Sequence, residues 1–121
     1  MASFRTQGLD HVAISVRDLE VSEGFYAELL GLEREHEEWQ EPKFMVSGGS
    51  GLALFSMETH GDRDPHVLHV AFRVDREAFE IAQETLTDRD IEFRFSDHGA
   101  CHSIYFEDPD GHQIELTTYE V

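Results

Sequence analysis

The chain contains few of the residues on which several classes of protein depend. It has one cysteine, Cys101, among 121 residues, so no disulfide can form within the chain. No apolar run is long enough to cross a membrane, and neither a signal peptide nor a targeting tail is visible. We therefore expect a cytoplasmic protein consisting of one domain of ordinary size.

Basic residues are also scarce. Nine lysines and arginines face 26 aspartates and glutamates, which gives a net charge of -17, and Lys43 is the only lysine. A phosphate backbone needs the opposite sign of charge, so nucleic acid is excluded as an expected partner. A strongly acidic surface almost without lysine resembles the cytoplasmic proteins of halophiles, in which concentrated salt screens the self-repulsion. We therefore expect a halophilic protein.

Three segments, residues 9–16, 67–74 and 112–117, alternate or run apolar over the length of a strand, and each contains one candidate metal ligand. These residues are His11, His69 and Glu115. Two imidazoles and one carboxylate around one ion leave coordination positions open. This set suits non-haem Fe(II) and also accepts Mn, Ni, Co or Zn. The sequence thus predicts one divalent metal ion per site, with Fe(II) favoured.

The chain repeats itself. The sequence around His11, His-Val-Ala-x-x-Val, recurs at His69, and each copy is followed by a helical pattern and three further strand-like runs. The predicted helices span residues 18–32 and 76–89, and the later strands span 35–39, 43–47, 52–57, 91–95, 103–107 and 113–119. This pattern predicts an α+β fold of two tandem βαβββ modules, about 7–60 and 66–121, which form a single domain. Ala53 takes the place in the first module that Glu115 takes in the second, so one metal site per chain is expected.

The closing segment, residues 103–116, with the sequence SIYFEDPDGHQIEL, is the most specific motif. Together with the repeat and the three ligands, it resembles the vicinal oxygen chelate superfamily, which contains glyoxalase, bleomycin-resistance, fosfomycin-resistance and extradiol dioxygenase proteins. The resemblance covers nearly the whole chain. It implies an open, cup-shaped mixed sheet around the metal and a homodimer, and the ligands come from one chain or from two.

The members of this superfamily differ in the residues around the metal. Glyoxalase I adds a carboxylate from the first module, where this chain has Ala53. Fosfomycin transferases share a tyrosine at Tyr105 but place a threonine where this chain has Ala13 and an arginine beyond the last ligand. Extradiol dioxygenases also have a tyrosine ten residues before the glutamate and an active-site histidine a little earlier. In this chain Tyr105 stands ten residues before Glu115, and His98-Gly99 resembles the segment that contains that histidine.

The resemblance therefore favours an extradiol-type dioxygenase that uses Fe(II) and O2 on a small substrate chelated through neighbouring oxygens. Tyr105 would bind a substrate oxygen, and His98 would perform acid–base work. The alternatives are a lyase, an isomerase or a thiol transferase that uses the metal as a Lewis acid, and a metal-free binding protein of the bleomycin-resistance type. The roles of His60, His66 and His102 stay open.

Overall fold

The computed structural model describes residue 7 and residues 9–60 and 67–121. The chain divides into two compact units, Met1–Asp64 and Pro65–Val121. The boundary falls in the predicted connector, which lies outside the described residues together with His66. No helix in the described part of the chain is long and apolar enough to span a membrane.

The first unit contains a four-stranded mixed sheet. Its elements are β1 (His11–Val16), α1 (Leu19–Leu30), β2 (Glu33–Glu35), β3 (Lys43–Ser47), β4 (Ser50–Ser56) and a one-turn helix, α2 (Met57–His60). The strands are ordered β1-β4-β3-β2, with β1 parallel to β4 and the other pairs antiparallel. The helix between β1 and the rest of the sheet supplies the crossover that a parallel pair needs.

Local signals fix both ends of α1. The Asp18 carboxylate accepts hydrogen bonds from the backbone N–H groups of Glu20 and Val21, as an N-cap residue does. Gly31 ends the helix in the left-handed conformation, at φ 73°, where a side chain would be strained. The helix packs on β3 and β4. The buried core of this unit comprises Ile14, Val16, Tyr26, Leu32, Met45, Leu52, Ala53 and Leu54.

The second unit repeats this plan. It contains β5 (Val70–Arg73), α3 (Arg76–Asp88), β6 (Arg94–Asp97), β7 (His102–Glu107) and β8 (Gln113–Thr118), with the strand order β5-β8-β7-β6. β5 runs parallel to β8, and the Asp75 side chain caps α3. The buried core comprises Phe79, Leu86, Ile104, Phe106, Ile114 and Leu116.

The predicted α+β class and the two βαβββ modules are confirmed, and most element boundaries agree within three residues. The predicted strand 35–39 is wrong, because β2 ends at Glu35 and His36 takes a positive φ of 54°, which turns the chain away from the sheet. Helix α2 was not predicted. The single-domain organisation of the two modules stays a prediction.

Candidate metal centre

His69 and Glu115 form the centre of a polar group in the second unit. The Nε2 atom of His69 lies 3.0 Å from Oε1 of Glu115, although His69 precedes β5 and Glu115 lies in the middle of β8. The carboxylate is only 8 % exposed. A nearly buried carboxylate is costly unless it is paired, so this position requires a partner for Glu115.

Ser103 supports the carboxylate from the neighbouring strand. Its hydroxyl donates to Oε2 of Glu115 at 2.7 Å, and it also lies 3.1 Å from the hydroxyl of Thr117. This bond occupies one carboxylate oxygen and leaves Oε1 directed at His69. Hydrogen bonds of this kind orient a ligating carboxylate.

The distance between these two donors is suitable for a metal ion. Metal–nitrogen and metal–oxygen bonds of about 2.1 Å, set at right angles, place the two donor atoms about 3 Å apart. The observed separation of Nε2 and Oε1 is 3.0 Å. These two residues of the predicted ligand set therefore have the separation of neighbouring ligands, which is also the separation of a hydrogen bond.

His11, the third predicted ligand, begins β1 in the first unit. Its Nδ1 atom lies 2.8 Å from a carboxylate oxygen of Asp10, which leaves Nε2 as the atom for a metal. Within the described residues of either unit, no three histidine, cysteine, aspartate or glutamate side chains form a metal-binding group. The second unit thus supplies two of the predicted ligands and the first unit supplies one.

The predicted pair Tyr105 and His98 lies beside Glu115. Tyr105 is directly opposite Glu115 in the β7–β8 register, and its ring centre lies 5.9 Å from that of His69. Its hydroxyl is 3.1 Å from Nε2 of His98. Burial and then the charge of Glu115 raise the pKa of Tyr105 above its ordinary value of 10.0, so the phenol keeps its proton at neutral pH.

A cavity of about 450 Å³ adjoins Tyr105. Arg94 lines it and places its guanidinium carbon 4.5 Å from the centre of the Tyr105 ring. Among the described residues no carboxylate lies within salt-bridge distance of Arg94, although Glu92 and Glu107 line the same cavity. The cavity is large enough for a small molecule.

The remaining histidines lie elsewhere. His102 points to the opposite face of the second sheet, against Phe95, because it is one residue out of phase with Ser103. His60 packs against Phe55 and lies 2.7 Å from the hydroxyl of Thr59, beside a cavity of about 440 Å³ in the first unit. Among the described residues of the second unit, His102 therefore does not join the pair His69 and Glu115.

Sequence reasoning missed Asp10, Ser103 and Arg94. A period of two along β7 could have found Ser103, since it shares a face with Tyr105. Asp10 directly precedes a predicted ligand, which was a usable signal. Arg94 lies within the predicted strand 91–95, but its place beside Tyr105 depends on the β6–β7 register, which sequence periodicity does not determine.

The sequence profile of the Glyoxalase/Bleomycin resistance protein/Dioxygenase superfamily matches residues 8–116. The chain belongs to this superfamily. The profile therefore extends from β1 into β8 and includes all three predicted ligands.

Three individual proteins illustrate which members of this superfamily the chain is similar to. The chain is 33 % identical over 113 residues to glutathione transferase FosA of Serratia marcescens, covering 91 % of this chain and 79 % of the relative. It is 34 % identical over 118 residues to metallothiol transferase FosB of Staphylococcus saprophyticus, covering 93 % and 77 %. The crystal structure of fosfomycin resistance protein FosX from Mesorhizobium loti is similar at a TM-score of 0.72 and 27 % identity, covering 94 % and 93 %.

These relatives overturn the predicted dioxygenase function, and with it the oxidoreductase and lyase assignments. The similar proteins are named as thiol transferases and fosfomycin-resistance proteins. The physical reason for the error lies in the β7–β8 hairpin. Tyr105 stands ten residues before Glu115 because the two are opposite each other in the register, so this spacing reflects the hairpin and carries no information about the reaction.

Proposed function

We propose that this protein is a divalent-metal-dependent transferase that joins a thiol to a small molecule, with fosfomycin as the first substrate to test. The relatives named above support the reaction class, and each is matched over more than nine tenths of this chain. The observation that carries the proposal in the structure is the 3.0 Å pair of His69 Nε2 and Glu115 Oε1, which has the spacing of two ligands.

His11, His69 and Glu115 would hold the ion. Asp10 would orient His11 through Nδ1, and Ser103 would orient Glu115 through Oε2. A divalent ion in such a site polarises an oxygen of a bound small molecule. The same ligand types suit Fe(II), Mn, Ni, Co and Zn, so the residues define the site and cellular supply selects the ion.

Tyr105 would bind the substrate, and His98 would position Tyr105. The phenol of Tyr105 donates a hydrogen bond to the Glu115 carboxylate, which contributes to the raised pKa of Tyr105. With His98 donating from Nε2–H to the phenol oxygen and Glu115 engaged by the ion, the phenol would donate instead to an oxygen of the substrate. The raised pKa of Tyr105 keeps that proton in place at neutral pH. The cavity next to Tyr105 has the guanidinium of Arg94 on its wall but is not lined by His69 or Glu115, so it would hold only the part of the small molecule that extends past Tyr105 away from the ion.

The transfer step would open the three-membered ring of an epoxide such as fosfomycin. The thiol sulfur forms a bond to one ring carbon, and the bond from that carbon to the ring oxygen breaks. The proton that the thiol loses ends on this oxygen. A hydrogen bond from Tyr105 to the same oxygen would stabilise the negative charge that develops there.

The proposal includes a homodimer, as the resemblance to the superfamily implies. Mixing the His11→Ala and Glu115→Ala variants tests how the dimer builds its site. If two chains share each site, a mixed dimer contains one site with all three ligands, and about a quarter to a half of the activity returns on mixing. If one chain supplies all three ligands, mixing restores nothing.

The experiment that tests the function is a thiol-transfer assay. Protein loaded with Mn(II), and separately with the other ions, is incubated with fosfomycin and either glutathione or cysteine, and the adduct is measured by mass spectrometry. We expect wild type, but not Glu115→Ala, to form a ring-opened adduct whose mass is the sum of the thiol and fosfomycin. Absence of the adduct with every ion and both thiols would contradict the proposal.

A further inference from the structure

Gly51 lies beneath an aromatic ring next to His11. A Cβ atom added at Gly51 would lie 2.5 Å from Cζ and 2.8 Å from Cε1 of Phe44, and 3.1 Å from Cβ of His11. The register explains this proximity, because Gly51 is paired with His11 of β1 on one side and with Val46 of β3 on the other. The φ of Gly51 lies outside the left-handed region, so its backbone conformation would accept a side chain. It is the lack of space that excludes a side chain here.

Phe44 uses this space to contact His11. The ring centres of Phe44 and His11 are 5.3 Å apart with an interplanar angle of 71°, an edge-to-face contact. Two further rings back Phe44: Trp39, at 6.2 Å, and His36, at 5.7 Å, which stack on each other at 4.0 Å. The Phe44 ring is therefore restrained by two further rings besides its contact with His11.

His11 is thus contacted at two separate places. Asp10 restrains Nδ1 through a hydrogen bond of 2.8 Å, and the Phe44 ring packs against the imidazole. The hydrogen bond alone leaves the imidazole free to tilt, because a carboxylate on an exposed residue can follow it. Contact with a backed ring opposes this tilt.

We propose that Phe44 and Gly51 are positioning residues that fix the imidazole plane of His11 for metal binding. This inference rests on the proposed role of His11 as a ligand. Phe44 supplies the contact and Gly51 supplies the space in which the ring lies. Their contribution is a preorganised ligand, which raises metal affinity without touching the ion.

Three variants and one control test this mechanism. Gly51→Ala adds the Cβ that displaces Phe44, Phe44→Leu removes the ring, and the double variant combines both changes. Gly49→Ala is the matched control, because a Cβ added there meets nothing within 4 Å. Mn(II) affinity is measured on metal-free protein in molar KCl, together with circular dichroism of the metal-free state and the visible spectrum of the Co(II) form.

We expect Gly51→Ala to weaken Mn(II) binding about tenfold, as loss of a residue that orients a ligand does, while Gly49→Ala binds as wild type. The Co(II) spectrum of Gly51→Ala should shift toward that of His11→Ala. In the Phe44→Leu variant, Gly51→Ala should reduce Mn(II) affinity by a smaller factor than it does in wild type, because the ring that the new Cβ displaces is absent.

A folded Gly51→Ala protein with wild-type Mn(II) affinity and a wild-type Co(II) spectrum would overturn the inference. So would an equal loss of Mn(II) affinity on introducing Gly51→Ala into wild type and into Phe44→Leu. If Gly51→Ala does not fold, Phe44→Leu alone decides, and unchanged affinity there refutes the role of the ring. A wild-type protein without a metal site that depends on Glu115 would instead refute the proposed function, and the inference with it.

Discussion

Ala53 and Glu115 occupy equivalent places in the two modules. Ala53 pairs with Ala13 across β4 and β1, and Glu115 pairs with Ala71 across β8 and β5. Ala13 and Ala71 each stand two residues after a predicted histidine ligand. Both modules therefore build the same position beside a histidine, and only the second fills it with a carboxylate. The prediction of one metal ion per pair of modules depends on this difference.

Ser103→Ala tests the orientation of Glu115. The change removes the hydroxyl that donates to Oε2 at 2.7 Å, and we expect about tenfold weaker metal binding because the carboxylate loses its fixed direction. Isothermal titration of metal-free protein measures the affinity. Ser96→Ala is the control, since Ser96 pairs with Ser103 across β6 and β7. Equal affinities of the two variants would argue against the role of Ser103.

Tyr105→Phe separates substrate binding from metal binding. The variant keeps the ring against His69 and loses the hydroxyl, which also interacts with the Glu115 carboxylate. We therefore expect kcat of thiol transfer to fall about 100-fold, while metal affinity falls far less than in Glu115→Ala. The kcat of His98→Gln should fall by less than that of Tyr105→Phe, because His98 acts through Tyr105. Steady-state rates with saturating metal measure both. A Tyr105→Phe enzyme with full kcat would remove Tyr105 from the mechanism.

Glu23 links stability to pH. Burial alone would raise the pKa of Glu23, but hydrogen bonds from Lys43 and Arg34 outweigh it and hold the pKa below its ordinary value of 4.5. Because folding lowers this pKa, the stabilisation is fully present above pH 4.5 and is lost as the pH falls through the folded-state pKa.

Glu23→Gln should therefore lower the free energy of unfolding by about 1 kcal/mol at pH 7 and by progressively less below pH 4.5. Urea denaturation at a series of pH values checks this. Glu28→Gln on the exposed side of the same helix is the control and should change little. A pH-independent difference between wild type and Glu23→Gln would show that the ion pairs do not stabilise the folded state.

Salt should stabilise the protein. With 26 acidic residues against nine basic ones, repulsion between surface carboxylates opposes the folded state in dilute buffer, and salt screens it. We expect Tm to rise from dilute buffer to 2 M KCl by roughly 10 °C. Differential scanning calorimetry measures this. A Tm that does not change with KCl would refute the expected adaptation to salt.

The sequence predicted the elements that local chemistry determines. Asp18 and Gly31 define α1 through capping and a left-handed turn, and both can be recognised without the fold. The turn at His36 could not be predicted, because a positive φ at a histidine depends on its stacking with Trp39. The hydrogen bond between Ser103 and Glu115 depends on the strand register. Sequence periodicity predicts which face of the sheet a residue lies on, but not which residue of the next strand it is paired with.

The reaction was mispredicted for a different reason. Two histidines and a glutamate with open positions serve several chemistries, so the ligand set does not select one. Tyr105 and His98 were interpreted as a dioxygenase feature, although their positions follow from the β7–β8 hairpin and the loop before it. Arg94 is a candidate for substrate binding because it lines a cavity beside Tyr105, and its placement there requires the structure.

The central claim is that Glu115 belongs to one tight metal site. Metal-free wild type and Glu115→Ala are titrated with Mn(II), Fe(II), Ni(II) and Zn(II) in molar KCl, which suppresses weak binding to the acidic surface. Glu107→Ala, which removes an exposed carboxylate from the neighbouring strand, is the control. We predict that wild type and Glu107→Ala each bind one metal ion tightly per chain. Glu115→Ala should lack this tight site. Equal, weak binding by all three proteins would contradict the account.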